Sequence, residues 1–432
     1  MIRTSKRCLL LYIWISILLL SPIYLGAQSS QTDASKIDSL VKILDQIIDE
    51  AIDSMAFPGC QVAIAYGDSI ILNRSYGHHT YEELIKVKNK HLYDVASLTK
   101  VTSGLPLLMK LYSNGAIDLD APIESYLPQW SKSNKAGLTL REILAHKAQL
   151  IPYIVFWQEA LKKNGSFKRR TFKENSDKKY TIKIADDLYL HRRYHELMNK
   201  KIKDSDLLPE EGYRYSGLFF LLLPDLIERL TGGEFVDILQ RELYDPLGLE
   251  HIGYHPLTDT DRHEIVPTEY DSLFRKQLVH GYVHDEAAAM LGTSCNAGIF
   301  SNAEDLCTLF MMYENYGKLK AMSIIDSAAV REFTRYQYKS EMNRRGLGFD
   351  KPLLEYDIDL SYVAESASPS SFGHSGFTGT MAWADPEHSI VFIFLSNRVY
   401  PSRNQRNIYN LNVRPRLHQA VYNWLLDETG GD

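Results

Sequence analysis

The sequence predicts a mixed α/β (α+β) fold: an antiparallel sheet drawn from both chain ends and flanked by helices, interrupted by a mostly helical subdomain. Three observations carry this. Short runs rich in Val, Ile and Ala lie near the start, Gln61–Tyr66 and Ser69–Ser75. Two more lie near the end, Gly379–Ala384 and Ser389–Leu395. Between them apolar residues recur at helical spacing. The 432 residues are 45% hydrophobic and 24% charged, an ordinary globular composition that excludes disorder or a coiled coil for the whole chain. A net charge of −6 argues against a general nucleic-acid-binding surface, and four cysteines are too few for a disulfide scaffold.

At the N-terminus, Arg3, Lys6 and Arg7 precede an apolar run, Leu9–Leu20, and Leu25-Gly26-Ala27 precedes Gln28. A basic start, a short apolar stretch and a small residue at the cut form a secretory signal peptide, residues 1–27. The run is short for a transmembrane helix, so the expectation is an exported chain, periplasmic or secreted, with no stable membrane insertion after cleavage. The domain then spans 28–432, with its α/β part at about 36–112 and 286–432 and the helical subdomain at about 113–285.

Leu40, Ile43, Leu44, Ile47, Ile48 and Ile52 make one apolar helical stripe, ended by Pro58-Gly59. The two following runs, separated by Gly67-Asp68, read as a hairpin. His91–Ala96 is an extended entry to a helix over Leu98–Ser113, in which Pro106 shortens or kinks the pattern. Thr139–His146 carries a capping-box spacing, Thr139 and Glu142. Lys162–Lys203 has 14 Lys or Arg against 5 Asp or Glu and reads as a solvated insertion; a patch for an anionic polymer is the other reading. Tyr215–Leu230, Phe235–Tyr244, Ala303–Tyr316 and Pro415–Leu426 are further helices. Cys60, Cys295 and Cys307 remain after leader removal, all in apolar contexts, and a Cys295–Cys307 bridge stays open.

Ser-x-x-Lys occurs three times, at Ser39, Ser97 and Ser176. Ser39 lies on the amphipathic helix and Ser176 in the lysine-rich stretch. Ser97 alone stands between an extended segment and an apolar helix, where free N–H groups and the helix dipole surround it. Lys100, one turn on, falls on the same face and can share the serine proton. Arg214-Tyr215-Ser216-Gly217 opens a strongly apolar helix, and a phenol beside an amine can serve as base. Phe372-Gly373-His374-Ser375-Gly376-Phe377-Thr378-Gly379 runs into a strand, with small residues that let backbone approach a substrate.

Taken in order, Ser97-Leu98-Thr99-Lys100, Tyr215-Ser216 and His374-Ser375-Gly376 resemble the motif triplet of the penicillin-recognising serine hydrolases, in particular the class C β-lactamase-like branch. Asp94-Val95-Ala96, Tyr244-Asp245-Pro246-Leu247-Gly248 and Ala297-Gly298-Ile299-Phe300-Ser301 flank them as in that family, over about residues 36–426. The resemblance implies a β-lactamase/transpeptidase-like fold and an ester- or amide-cleaving acyl-enzyme mechanism. Ser97 would be the nucleophile, with Lys100 and Tyr215 as its proton-transfer partners. The N–H groups of Ser97 and Phe377 would form the oxyanion hole, with His374, Ser375 and Gly376 lining the substrate side. No cofactor or metal is implied; His146, His284, Asp285 and Glu286 read as structural or cleft-edge residues. The implied substrate is a small molecule or peptide, cell-wall-derived substrates included. Three departures stand out. Gly217 replaces the usual Asn, His374 the usual Lys, and Asn296 the frequent His before Ala-Gly. Together they argue against an efficient β-lactamase, and a non-catalytic cell-wall or peptide sensor is the alternative they feed.

Overall fold

The Gly67-Asp68 turn sends the chain back along itself, and β1 (Gly59–Tyr66) pairs antiparallel with β2 (Ser69–Gly77) as the alternating sequence requires. The computed structural model describes residues 24–429, so the leader expected over 1–27 lies, up to residue 23, outside the described residues. The C-terminal third adds β3 (Phe372–Ser375), β4 (Met381–Asp385) and β5 (Ile390–Ser396). The five strands form one antiparallel sheet in the order β3-β4-β5-β1-β2. The two chain ends meet where β1 lies on β5, with Cys60 opposite Ser396 and Tyr66 opposite Ile390.

Side chains of β1 and β5 alternate between two cores because strand residues point to opposite faces in turn. Val62, Ile64, Phe392 and Phe394 pack with helices α1 (Tyr24–Asp53) and α5 (Val413–Thr429), through Leu44, Ile48, Leu417 and Val421. Ala63, Ala65, Ile393 and Leu395 belong to the other core with Leu306 and Phe310 of α4 (Ala303–Glu314). Burial on both faces explains why these strands read as continuous apolar runs. Among the described residues, no helix is long and apolar enough to cross a membrane.

Three prolines inside helical patterns are each accommodated locally. The chain is helical from Leu98 to Ser113, with a wide π-turn at Lys100–Gly104 and then α2 (Leu105–Ser113). Pro106 therefore stands in the first turn of α2, where its missing N–H costs little. The carbonyls of Val101 and Thr102 accept the phenols of Tyr313 (2.7 Å) and Tyr244 (3.0 Å) instead. Pro246 likewise follows a π-turn, Gln240–Tyr244. Pro224 lies within α3 (Leu218–Thr231) and leaves the Phe220 carbonyl without its helical donor. Cys295 N–H fills that place at 3.0 Å. This bond fastens the segment carrying Asn296 to α3.

The segment between residues 113 and 285 holds helices and, within the basic stretch, a three-stranded sheet not read from the sequence. Its strands are Phe172–Lys173, Tyr180–Ala185 and Leu188–His191. Asp187, at φ 51°, closes the turn between the last two, a role Asp fills more readily than most residues. Several of its lysines pair locally, Lys173 with Asp177 and Lys200 with Asp204. Thr139 and Glu142 form the expected capping box. Cys60, Cys295 and Cys307 are buried free thiols, so no bridge joins the last two.

Candidate active site

Ser97 is presented by a bend that the sequence builds in three residues. Tyr93–Asp94 pairs with Phe300–Ser301. The buried Asp94 carboxylate accepts Ala96 N–H at 2.8 Å and His284 N–H at 2.7 Å. Ala96 adopts φ 49°, a left-handed conformation costing about 1–2 kcal/mol outside glycine. The helix starts at Leu98, so Ser97 stands half-buried at its N-terminus. Lys100, fully buried, donates to Ser97 Oγ at 3.1 Å, Asn296 Oδ1 at 2.8 Å and Asn296 O at 2.9 Å.

Tyr215 comes from the loop before α3. Arg214 N–H donates to His146 O at 2.8 Å, Ser216 N–H to His146 Nδ1 at 3.3 Å, and Ser216 Oγ to Ile151 O at 2.7 Å. Held this way, the Tyr215 phenol donates to Ser97 Oγ at 3.3 Å. Burial would raise its pKa. The Lys100 ammonium, the bond to Ser97 and the Arg345 guanidinium outweigh that and hold it below the usual tyrosine value of 10. The Lys100 nitrogen lies 5.5 Å from the ring centre and the Arg345 guanidinium carbon 5.6 Å. Arg345 is itself buried and paired with Asp350, which also accepts the Tyr362 phenol.

The glycine-rich segment closes the site from the sheet edge. The His374 ring centre lies 6.1 Å from that of Tyr215. His374 Nδ1 is 2.7 Å from Ser375 O; a carbonyl only accepts, so Nδ1 carries the proton and Nε2, buried and without a partner among the described residues, is a bare acceptor. Burial, with Arg345 and Lys100 nearby, holds the imidazole well below 6.5, so it is neutral at pH 7. Thr378 Oγ1 donates to Asp94 O at 2.8 Å and Thr380 Oγ1 to Val95 O at 3.0 Å, which ties this segment to the residues leading into Ser97. A Cβ at Gly376 would lie 2.5 Å from Val95 O, so glycine is required for the approach. Phe377, 50% exposed, stacks on His284 at 5.6 Å. The backbone N–H groups of Ser97 and Phe377 meet no protein acceptor among the described residues.

The structure thus brings Ser97, Lys100, Tyr215 and His374 together, with Ser375 and Gly376 beside His374 and Phe377 at the edge. His146 packs on Tyr215, ring centres 4.5 Å apart. His284 pairs with Glu269, Glu286 with Arg403, and Asp285 caps a helix by accepting Ala288 N–H. Among the described residues, no group of three His, Cys, Asp or Glu is placed to hold a metal. Three groups around these residues were missed from the sequence: Asn296, read there only as a departure from the motif, and the paired Arg345 and Asp350. Arg345 and Asp350 flank Gly346-Leu347-Gly348, and Arg344-Arg345 there looks like ordinary surface charge.

A family model described as Beta-lactamase matches residues 44–414. The chain belongs to the Beta-lactamase family. Members of this family are serine hydrolases. An Escherichia coli (strain K12) protein named "Putative D-alanyl-D-alanine carboxypeptidase" is 26% identical over 414 residues, covering 89% of this chain and 88% of its own. A penicillin-binding protein homologue from Caulobacter crescentus has the same fold, with TM-score 0.65, 16% identity, and 89% and 97% coverage of the two chains. EstCE1, described as a hydrolase with promiscuous acyltransferase activity, superposes with TM-score 0.63, 18% identity, and 88% and 99% coverage. A class C β-lactamase from Rhodobacter sphaeroides gives TM-score 0.60, 16% identity, and 88% and 99% coverage. These likenesses bear out the β-lactamase/transpeptidase-like fold expected from the motifs.

Proposed function

We propose that this Beta-lactamase family member is an exported serine hydrolase that cleaves an ester or amide through a Ser97 acyl-enzyme. The observation that carries this is the position of Ser97 Oγ, 3.1 Å from the Lys100 ammonium and 3.3 Å from the Tyr215 phenol. Tyr215 with its proton removed takes the Ser97 proton as Oγ attacks the carbonyl carbon. The oxyanion that forms is stabilised by the N–H groups of Ser97 and Phe377. As the tetrahedral intermediate collapses, the C–O or C–N bond breaks and the leaving group takes the proton from Tyr215. Water then attacks the acyl-enzyme, gives its proton to Tyr215, and the released Ser97 oxygen is reprotonated. Lys100 keeps the charge balance favourable throughout and holds the hydroxyl in line.

A neutral His374 offers no fixed cation to a substrate carboxylate, so an ester, amide or peptide suits the site better than a β-lactam. The basic start and apolar run before Ala27 support export. Purified protein is expected to hydrolyse p-nitrophenyl esters and to be labelled by a fluorophosphonate. Ser97→Ala is expected to lose both. Labelling at the wild-type rate in that variant would remove Ser97 from its role.

A further inference from the structure

Gly217 stands where the family motif usually supplies an amide, yet Lys100 does not lack one. Its three N–H bonds have three acceptors: Ser97 Oγ at 3.1 Å, Asn296 Oδ1 at 2.8 Å and Asn296 O at 2.9 Å. A Cβ built on Gly217 would lie 2.3 Å from Asn296 Oδ1 and 3.0 Å from its Cγ. A side chain at 217 and the amide of Asn296 therefore claim the same volume. We propose that Asn296 is a positioning residue for Lys100, delivering from the opposite wall the amide that position 217 lacks, and that Gly217 is what makes room for it. This rests on the Ser97 acyl-enzyme reading and adds a residue to it.

Asn296 is locked in this pose. Its Nδ2 donates to Asp285 Oδ2 at 3.3 Å, and Asp285 Oδ1 accepts Ala288 N–H at 2.7 Å. The half-buried Asp285 carboxylate thus fixes which way the amide points, oxygen to the ammonium and nitrogen to the anion. The backbone is fixed as well. Asn296 N–H donates to Ser294 Oγ at 2.9 Å, and Cys295 N–H donates to the Phe220 carbonyl that Pro224 leaves open. The result is a chain Lys100–Asn296–Asp285 in which a buried ammonium is linked to a half-buried carboxylate across one amide. Asn296 touches the amine, not the acyl group. Its loss acts through Lys100 on Ser97 and on Tyr215, whose other charged or titratable neighbours are His146, His374 and Arg345.

The test is a set of variants assayed on a p-nitrophenyl ester, with kcat, KM, a pH profile and a thermal melt for each. Asn296→Ala is expected to lower kcat about 10- to 100-fold, the loss of a charge-assisted hydrogen bond, with KM little changed. The acid limb of kcat/KM should move to higher pH, because a less firmly placed ammonium supports the phenolate less. Gly217→Asn alone should also lose activity by crowding. The double variant Gly217→Asn with Asn296→Ala should recover much of it, since the new side chain starts 2.3 Å from an atom that already reaches Lys100. If Asn296→Ala does not fold, Asn296→Ser takes its place with the same expectation. Wild-type kcat in these single variants overturns the proposal. So does a loss with an unmoved limb and no recovery in the double variant, the signature of a merely structural residue. Ser97→Ala run in parallel separates the two claims: turnover surviving there rejects the acyl-enzyme reading itself, whatever Asn296 does.

Discussion

The Tyr215 phenol stands between two cations, Lys100 and Arg345, and this governs its acid strength. In the proposed role of base it must be deprotonated, so kcat/KM should fall as pH drops through its pKa, on a limb placed below the ordinary value of 10. Arg345→Gln removes one cation and should move that limb to higher pH; a stationary limb would take Arg345 out of the site's electrostatics. Tyr215→Phe should reduce kcat about 10²- to 10⁴-fold, the usual worth of a general base, and stopped-flow acylation rates would show it. Ser97 and Lys100 stood out as candidates in the sequence because a helical i, i+3 pair is a local pattern, and Tyr215 through the resemblance of its motif; the structure places Lys100 and Tyr215 within hydrogen-bonding reach of Ser97. Arg345 and the pose of Asn296 were not legible there. Both reach the site through tertiary contacts whose causes, a proline-freed carbonyl and a buried Arg–Asp pair, leave no periodic trace.

Helices and turns carry these groups, and their interruptions matter more than their regular parts. Gly104 closes the π-turn after Lys100, and a Cβ there would lie 2.6 Å from both Cys295 Sγ and Leu223 Cδ2. Gly104→Ala should therefore destabilise by about 1–3 kcal/mol through overpacking and lower kcat by displacing Asn296. Denaturant melts and ester kinetics check both; a stable, active variant would show that Cys295 has room to move. Away from the site, Thr139→Ala should cost about 0.5–2 kcal/mol by loss of its capping box, with activity retained when folded. The hairpin, that cap and the terminal helices follow from short-range signals and appear as expected. The small sheet in the basic stretch was hidden, since charged residues alternate there with only a few apolar ones, Ile184, Leu188 and Leu190 among them.

Across the whole molecule, one sheet ties the chain ends together, and its inner strands β1, β4 and β5 are buried on both faces, one of them under α5. His418 of α5 is buried against Phe392, and burial holds its pKa at about 3. A histidine kept neutral contributes stability above its unfolded pKa of 6.5 and loses it as pH falls toward the folded value. Stability should thus drop by about 1.4 kcal/mol per pH unit for this one group between those limits. His418→Gln should flatten that slope by about one proton; equal slopes in the two proteins would contradict it. The sheet built from both ends was readable because strands at the termini bracket helices. The convergence of the motif segments was readable only through their resemblance to a family.

The central claim is covalent and can be read directly by mass. Protein quenched in acid during turnover of an activated ester, then digested with trypsin, should carry one acyl group per chain on the peptide His91–Lys100, at Ser97. An adduct on any other peptide, or ester turnover undiminished in Ser97→Ala, would contradict it.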